Sequence, residues 1–226
     1  MYPITYEADY KREPSRLSTF FRFILMIPWI IVGYVYFIAL AVTVLISWFA
    51  ILITGRYPQG LYNFNAGVLR YSARANSFGG LLTDEFPPFG TGTDPTYPVR
   101  VQVAPRPEKQ SRLKAFFRMI LAIPLFFVAY AINFIHLGGI FISWLTIVFR
   151  GYQPAGAHNA LLFTTAWQTR VGAYILLLTD IYPPVGDEAP SIGDVRSAGQ
   201  PALAGSAAPP APAGEPATEQ QRRPAE

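Results

Sequence analysis

Asp84 and Asp180 stand in the same setting, Leu-Leu-Thr-Asp followed closely by Pro-Pro. Two carboxylates brought together in a cleft could share acid/base work. The alternative is that each caps a turn or pairs with a nearby arginine. Arg74 and Arg170 are the arginines common to the two segments leading into these motifs. An arginine in an apolar segment needs a partner or water. Within one copy, Arg74 lies about ten residues from Asp84, about 15 Å along a helix, which is too far for contact. The spacing therefore predicts crosswise pairs, Arg74 with Asp180 and Arg170 with Asp84.

Asn133 and His136 are three residues apart near the middle of a long apolar run, so they share a helix face. Polar groups at that depth either line a proton or ion path or bond a neighbouring helix as modest glue. The matching places earlier in the chain hold Phe37 and Leu40, which argues against a path used by both halves. The histidines are His136 and His158, and cysteine is absent. A metal site would have to join these histidines to distant carboxylates, and none is expected. No nucleophile elbow, phosphate-binding glycine loop or zinc-protease helix motif occurs, so neither a catalytic residue nor a cofactor is assigned.

The chain that must position these groups has 226 residues, 51% of them hydrophobic and 14% charged. An ordinary soluble domain carries about 25% charged residues. Here the apolar surplus falls into long runs, as in bilayer spans. The net charge of +4 is uneven, because the segment from Asp187 onward is acidic. Lys11, Arg12, Arg16 and Arg22 form one basic group, and Arg106, Lys109, Arg112, Lys114 and Arg118 form another. Each precedes or opens an apolar run. Basic residues in that place act as topology signals and head-group contacts, not as a nucleic-acid surface. Arg12, Arg16, Lys109, Arg112 and Lys114 are the expected contacts to anionic lipid. The first apolar run is too long for a signal-peptide core and reads as a retained membrane segment.

The two halves repeat. Ser15-Arg16-Leu17 and Phe20-Phe21-Arg22 recur as Ser111-Arg112-Leu113 and Phe116-Phe117-Arg118. Ile27-Pro28 recurs as Ile123-Pro124, and Ser47-Trp48 as Ser143-Trp144. Gly55, Pro58 and Asn63 match Gly151, Pro154 and Asn159. The alignment needs no gap from Ser15 to Gly90, with roughly a third of positions identical, far above chance. Each copy opens with Tyr-Pro and an alternating stretch that reads as a strand, and the two strands are expected to pair outside the membrane. A short basic helix follows, lying in the head-group plane. Pro28 and Pro124 mark a kink or break. The runs 29–53 and 125–149 are long enough to span with some tilt. Gly33, Gly138 and Gly139 offer small positions for close helix approach.

The next segment is amphipathic in the first copy, where Leu61, Phe64, Val68, Tyr71 and Phe78 recur at helical spacing. In the second copy it is more apolar and long enough to span. The tail from Asp187, rich in Ala, Pro, Gly, Glu and Gln, reads as disordered.

This order of motifs resembles a bacterial membrane family known as domain of unknown function 4389. The carriers are Gly-Arg-Tyr-Pro-Gln-Gly-Leu at 55–61 and Leu-Leu-Thr-Asp-Glu-Phe-Pro-Pro-Phe at 81–89. The resemblance covers 2–90 and 97–186. The second copy departs from it, with Gly151-Tyr152-Gln153-Pro154 and Thr179-Asp180-Ile181-Tyr182-Pro183-Pro184. A role for Arg56 therefore does not carry to Tyr152. The resemblance implies an architecture and no activity.

The expected fold class is an all-α membrane protein, a tandem repeat of helical hairpins with interfacial helices and short extramembrane β-strands. Its units are 1–92, 97–186 and the tail 187–226. The alternative is one span per copy plus an in-plane amphipathic helix. The expected function is a non-enzymatic scaffold or accessory subunit that binds partner proteins or anionic lipid. The alternatives are a small transporter or channel, and a lipid-modifying enzyme using Asp84, Asp180, Arg74 and Arg170. Expected partners are the bilayer and either a membrane protein or a second copy. The expected location is the inner membrane, multi-pass, with both termini cytoplasmic.

Overall fold

The structure is a computed structural model and describes residues 2–185. The tail read as disordered, 187–226, lies outside the described residues. The elements run β1 (Ile4–Ala8), α1 (Arg16–Phe20), α2 (Arg22–Leu25), α3 (Ile27–Thr54), α4 (Gln59–Gly79), β2 (Val99–Val103), α5 (Arg112–Arg150) and α6 (Ala155–Ile175).

Local chemistry sets the ends. The Ser15 hydroxyl accepts from Ser18 N at 3.4 Å, and the Ser111 hydroxyl accepts from Lys114 N at 3.3 Å. Each satisfies a free N–H at a helix start. Gly55 (φ 70°) and Gly151 (φ 79°) close α3 and α5 in the left-handed conformation that glycine adopts at no steric cost.

The two copies differ at the expected break. In the first, α1 and α2 are separate short helices, and Pro28 sits in the first turn of α3, where no helix bond is lost. In the second, one 39-residue helix runs straight through Pro124. The basic segment there is not a separate in-plane helix. Lys114-Ala115 replaces Ser18-Thr19, exchanging weak helix formers for strong ones.

The strands pair antiparallel with Tyr6 opposite Val101. Aligned from their Tyr-Pro starts, these two residues hold the same place in each copy, so the register is two-fold symmetric about them. The flanking bonds obey the same symmetry: Asp9 N donates to Pro98 O at 3.0 Å and Ala104 N to Pro3 O at 2.9 Å. Ile4, Tyr6, Ala8, Val99 and Val101 face inward and are buried. On the outer side Arg100 pairs with Glu7 at 3.4 Å and Asp9 at 2.9 Å.

Helices α4 and α6 lie under this sheet and are buried on most faces. The polar residues of α4 are divided: Asn65, Arg74 and Ser77 are buried, while Asn76 is exposed. Ser77 Oγ bonds Tyr6 Oη at 2.6 Å. Asn65 accepts from Thr43 Oγ1 of α3 at 2.7 Å and donates to Tyr57 Oη at 2.6 Å. Tyr57 Oη in turn donates to Leu176 O at the end of α6, 3.1 Å away. Further along, Tyr71 Oη donates to Trp29 O at 2.6 Å, so α3 meets α4 at widely separated points.

In the second copy Gly139 and Leu161 replace Thr43 and Asn65. A Cβ on Gly139 would lie 3.1 Å from the Leu161 side chain, so glycine is what admits the leucine. Gly33 faces Tyr71 at ordinary contact distance, and Gly138 faces nothing within 4 Å. The small-residue expectation thus holds at Gly139 and fails at Gly138.

Among the described residues, α3 and α5 are the two helices long and apolar enough to cross a membrane, each with an 18-residue stretch whose mean hydropathy is 2.5 and 2.1 respectively. Their outward faces carry large apolar side chains, among them Phe37, Phe127 and Phe149. Across the copies, Trp48 Nε1 of α3 donates to Ala115 O of α5 at 2.9 Å, and Phe20 of α1 stacks on Trp144 of α5.

Candidate functional site

The densest polar constellation occurs twice, once in each copy. It forms where α4 and α6 end. Leu81 (φ 61°) and Leu177 (φ 64°) take up the left-handed conformation after the helix, without the glycine that usually serves there. Leu82 N reaches back to Ser77 O at 2.9 Å, and Leu178 N to Ala173 O at 3.0 Å. A leucine in this conformation costs about 1–2 kcal/mol. The turn leaves helix-end carbonyls and the following aspartate aimed at one point.

A buried arginine fills that point. Arg22, 3% exposed, donates through Nη1 to Phe78 O at 2.8 Å and Thr83 O at 2.6 Å. Its Nη2 donates to Asp84 Oδ1 at 2.7 Å. Arg118, 4% exposed, repeats this with Tyr174 O, Thr179 O at 2.8 Å and Asp180 Oδ1 at 2.6 Å. Each guanidinium also lies over an aromatic ring, Phe78 at 4.3 Å and Tyr174 at 4.4 Å. The second carboxylate oxygen accepts the backbone N–H of the serine cap, Ser15 at 2.8 Å and Ser111 at 2.9 Å. Lys11 Nζ also approaches Asp84, at 3.3 Å. Each aspartate thereby ties the start of its copy to the end.

This arrangement corrects the crosswise pairing. Asp84 meets Arg22 and Asp180 meets Arg118, not Arg170 and Arg74. The chain folds back so that the opening basic helix, and not the late helix, lies beside the closing turn. Arg74 instead donates through Nη2 to Gly92 O at 2.8 Å and lies 5.9 Å from the Tyr97 ring centre. Arg170 lies 5.7 Å from the Tyr2 ring centre. These arginines do reach across copies, but to the opening tyrosines. The tyrosine hydroxyls donate in the same sense, Tyr97 to Glu85 O at 3.0 Å and Tyr2 to Ile181 O at 3.3 Å.

Nothing in this geometry makes the two aspartates an acid/base pair, since each is held by an arginine and a backbone N–H of its own copy. Asn133 and His136 also part company. His136 Nδ1 bonds Thr164 Oγ1 of α6 at 2.8 Å, the interhelical bond, while Asn133 is exposed. His158 is buried, with Nδ1 3.2 Å from Gln153 Oε1 and Tyr10 edge-on to its ring. No group of three metal-ligating side chains occurs among the described residues.

Arg12, Arg16, Lys109, Arg112 and Lys114 are all exposed. Two of them also mark helix ends of the opposite copy. The Arg16 guanidinium lies against Gly151, and Arg112 Nε would be 3.3 Å from a Cβ on Gly55. A cation there interacts favourably with the C-terminal end of the helix dipole.

The sequence places Arg22 and Arg118 in the basic groups, with Arg22 reaching the interface; both are buried instead, because the closing turn supplies their partners. The signal that marks them was present: they close the Phe-Phe-Arg triplet at matching places in both copies.

Fold and site together define a mostly helical protein of two tandem units, each closed by an arginine–aspartate clasp. The chain belongs to the family described as Domain of unknown function (DUF4389), whose model matches residues 16–90 and again 112–185. The matched segments begin at Arg16 and Arg112, so both strands lie outside them. Comparison with curated proteins and with solved structures gives no significant match.

Proposed function

We propose that this chain is a multi-pass integral membrane protein whose two units are the helical hairpins α3–α4 and α5–α6. It serves as a non-enzymatic scaffold or accessory subunit that binds anionic lipid and a membrane partner. The observation that carries the reading is the outward face of α3 and α5. Phe37 is 66% exposed, Phe127 75% and Phe149 70%, and side chains of this kind recur along both helices. Water does not tolerate a continuous apolar surface of this extent, whereas lipid does. The hairpin is supported by the contacts that tie α3 to α4 and α5 to α6. The exposed basic residues support head-group binding, each contributing on the order of 1 kcal/mol near an anionic surface.

The polar groups on which catalysis or transport would draw are engaged otherwise. Asp84 and Asp180 serve the clasps, and His136 serves a helix contact. The test is purification from native membranes with identification of co-purifying proteins and lipids. A stoichiometric protein partner, or enrichment of anionic lipid, supports the proposal. Solute flux in proteoliposomes without either would replace it with the transport reading.

A further inference from the structure

A cleft of about 340 Å³ opens between the two copies, and its lining is asymmetric in a way the repeat is not. Ala41, Leu45 and Trp48 of α3 form one wall, Arg118 and Met119 of α5 the other, and Ile175 of α6 the floor. At the corresponding places on the opposite side stand Leu137, Phe141, Trp144, Arg22, Phe23 and Gly79. Leucine and two phenylalanines there take the place of alanine, leucine and methionine. The two sides therefore differ at matched positions, with larger apolar side chains opposite Ala41 and Leu45 and a glycine opposite Ile175.

Three observations define what fits. The walls are apolar, and Leu45 (57% exposed) and Met119 (77% exposed) lie on the surface that faces lipid in the reading above. Arg118 contributes the polar point. Its terminal nitrogens are held by the clasp, and its buried Nε has no hydrogen-bond partner in the protein. The third is the direction of charge. Along α5, Met119 is five residues from the exposed Lys114, about 7–8 Å, and Arg112 lies beyond it at the Gly55 cap. The cleft and its polar point thus lie on the stretch of α5 that leads back to the exposed Lys114, whose Nζ lies 3.5 Å from Asp180 O, and to Arg112.

We propose that this cleft holds one anionic glycerophospholipid. An acyl chain lies between Ala41, Leu45 and Met119, the ester region sits at Arg118, and the phosphate meets Lys114 and Arg112. The inference rests on the membrane reading and adds a defined site to it.

The experiment uses the full chain in vesicles of mixed phosphatidylglycerol and phosphatidylcholine, extracted gently and read by native mass spectrometry. Wild type retains one phosphatidylglycerol per chain. Leu45→Trp fills the cleft from an exposed position that leaves the fold intact, and that lipid is lost. Phe141→Trp, the same change on the opposite side, leaves it bound. Lys114→Gln keeps a lipid but lowers the preference for phosphatidylglycerol about fivefold, the loss of one cation's attraction. Retention in Leu45→Trp, equal loss in Phe141→Trp, or an unchanged preference in Lys114→Gln would each overturn the site. A wild-type chain that stays in vesicles but retains no lipid overturns the site alone. One that remains in the soluble fraction without detergent overturns the membrane reading itself.

Discussion

Arg22 and Asp84 are 62 residues apart in sequence and 2.7 Å apart in space. The same clasp recurs between Arg118 and Asp180. Each arginine also caps a helix end, so it neutralises a carboxylate and satisfies carbonyls that the helix leaves free.

Breaking a clasp from one side strands a buried charge. Asp84→Ala or Arg22→Ala should each cost about 3–5 kcal/mol. Arg22→Ala combined with Asp84→Ala should cost clearly less than the sum of the two single changes. Thermal unfolding in detergent reads this. Additive losses would show that the pair is not coupled.

Arg74 and Asp180 share no contact, so Arg74→Ala and Asp180→Ala should add within about 0.5 kcal/mol. Arg74→Ala and Tyr97→Ala should not, because the guanidinium faces that ring. The same melts decide between the two partners, and coupling of Arg74 to Asp180 would restore the crosswise pairing.

The α5–α6 contact has a polar and an apolar part. Thr164→Val removes the hydroxyl partner of His136 and should cost about 0.6–1.7 kcal/mol, the range for hydrogen bonds between membrane helices. Gly139→Val should cost more, about 1–3 kcal/mol, since its Cβ meets Leu161. If Thr164→Val proved the more damaging, His136 would be doing something besides bonding its neighbour.

Reporter fusions at Gly92 and Gly199 should give the same side of the membrane, the cytoplasmic one. The proposed hairpin units, with basic openings, would place both openings inside. Opposite sides would mean inverted copies and would exclude the hairpin.

Much of the framework follows from short-range rules and was legible in the chain. Ser15 and Ser111 announce helix starts, Gly55 and Gly151 announce helix ends, and alternation announces the strands. What escaped depends on where distant segments meet. The late helices carry polar residues such as Asn65 and Arg74, which helical spacing sets on polar faces. They are buried because the sheet and the partner helices supply hydrogen bonds that no local pattern records. The clasp escaped for the same reason: the distance from Arg74 to Asp84 along one helix is computable, but the return of the chain to Arg22 is not. Pro124 does not break the helix, because the helix formers in the segment before it carry α5 through the position.

The register that sets Tyr6 against Val101 makes the opening strand isologous, because each copy offers its partner the same edge that it receives. Between separate units, an edge of this kind would be joined only by concentration-dependent association. Joining two units in one chain replaces that concentration-dependent association with an intramolecular one, at an effective concentration in the millimolar range for a short connection. It also releases each unit from having to fit a copy of itself. The pair Thr43 and Asn65 on one side, and Gly139 and Leu161 on the other, is what that freedom allows. So is a cleft lined by Ala41, Leu45 and Met119 whose matching positions hold Leu137, Phe141 and Phe23.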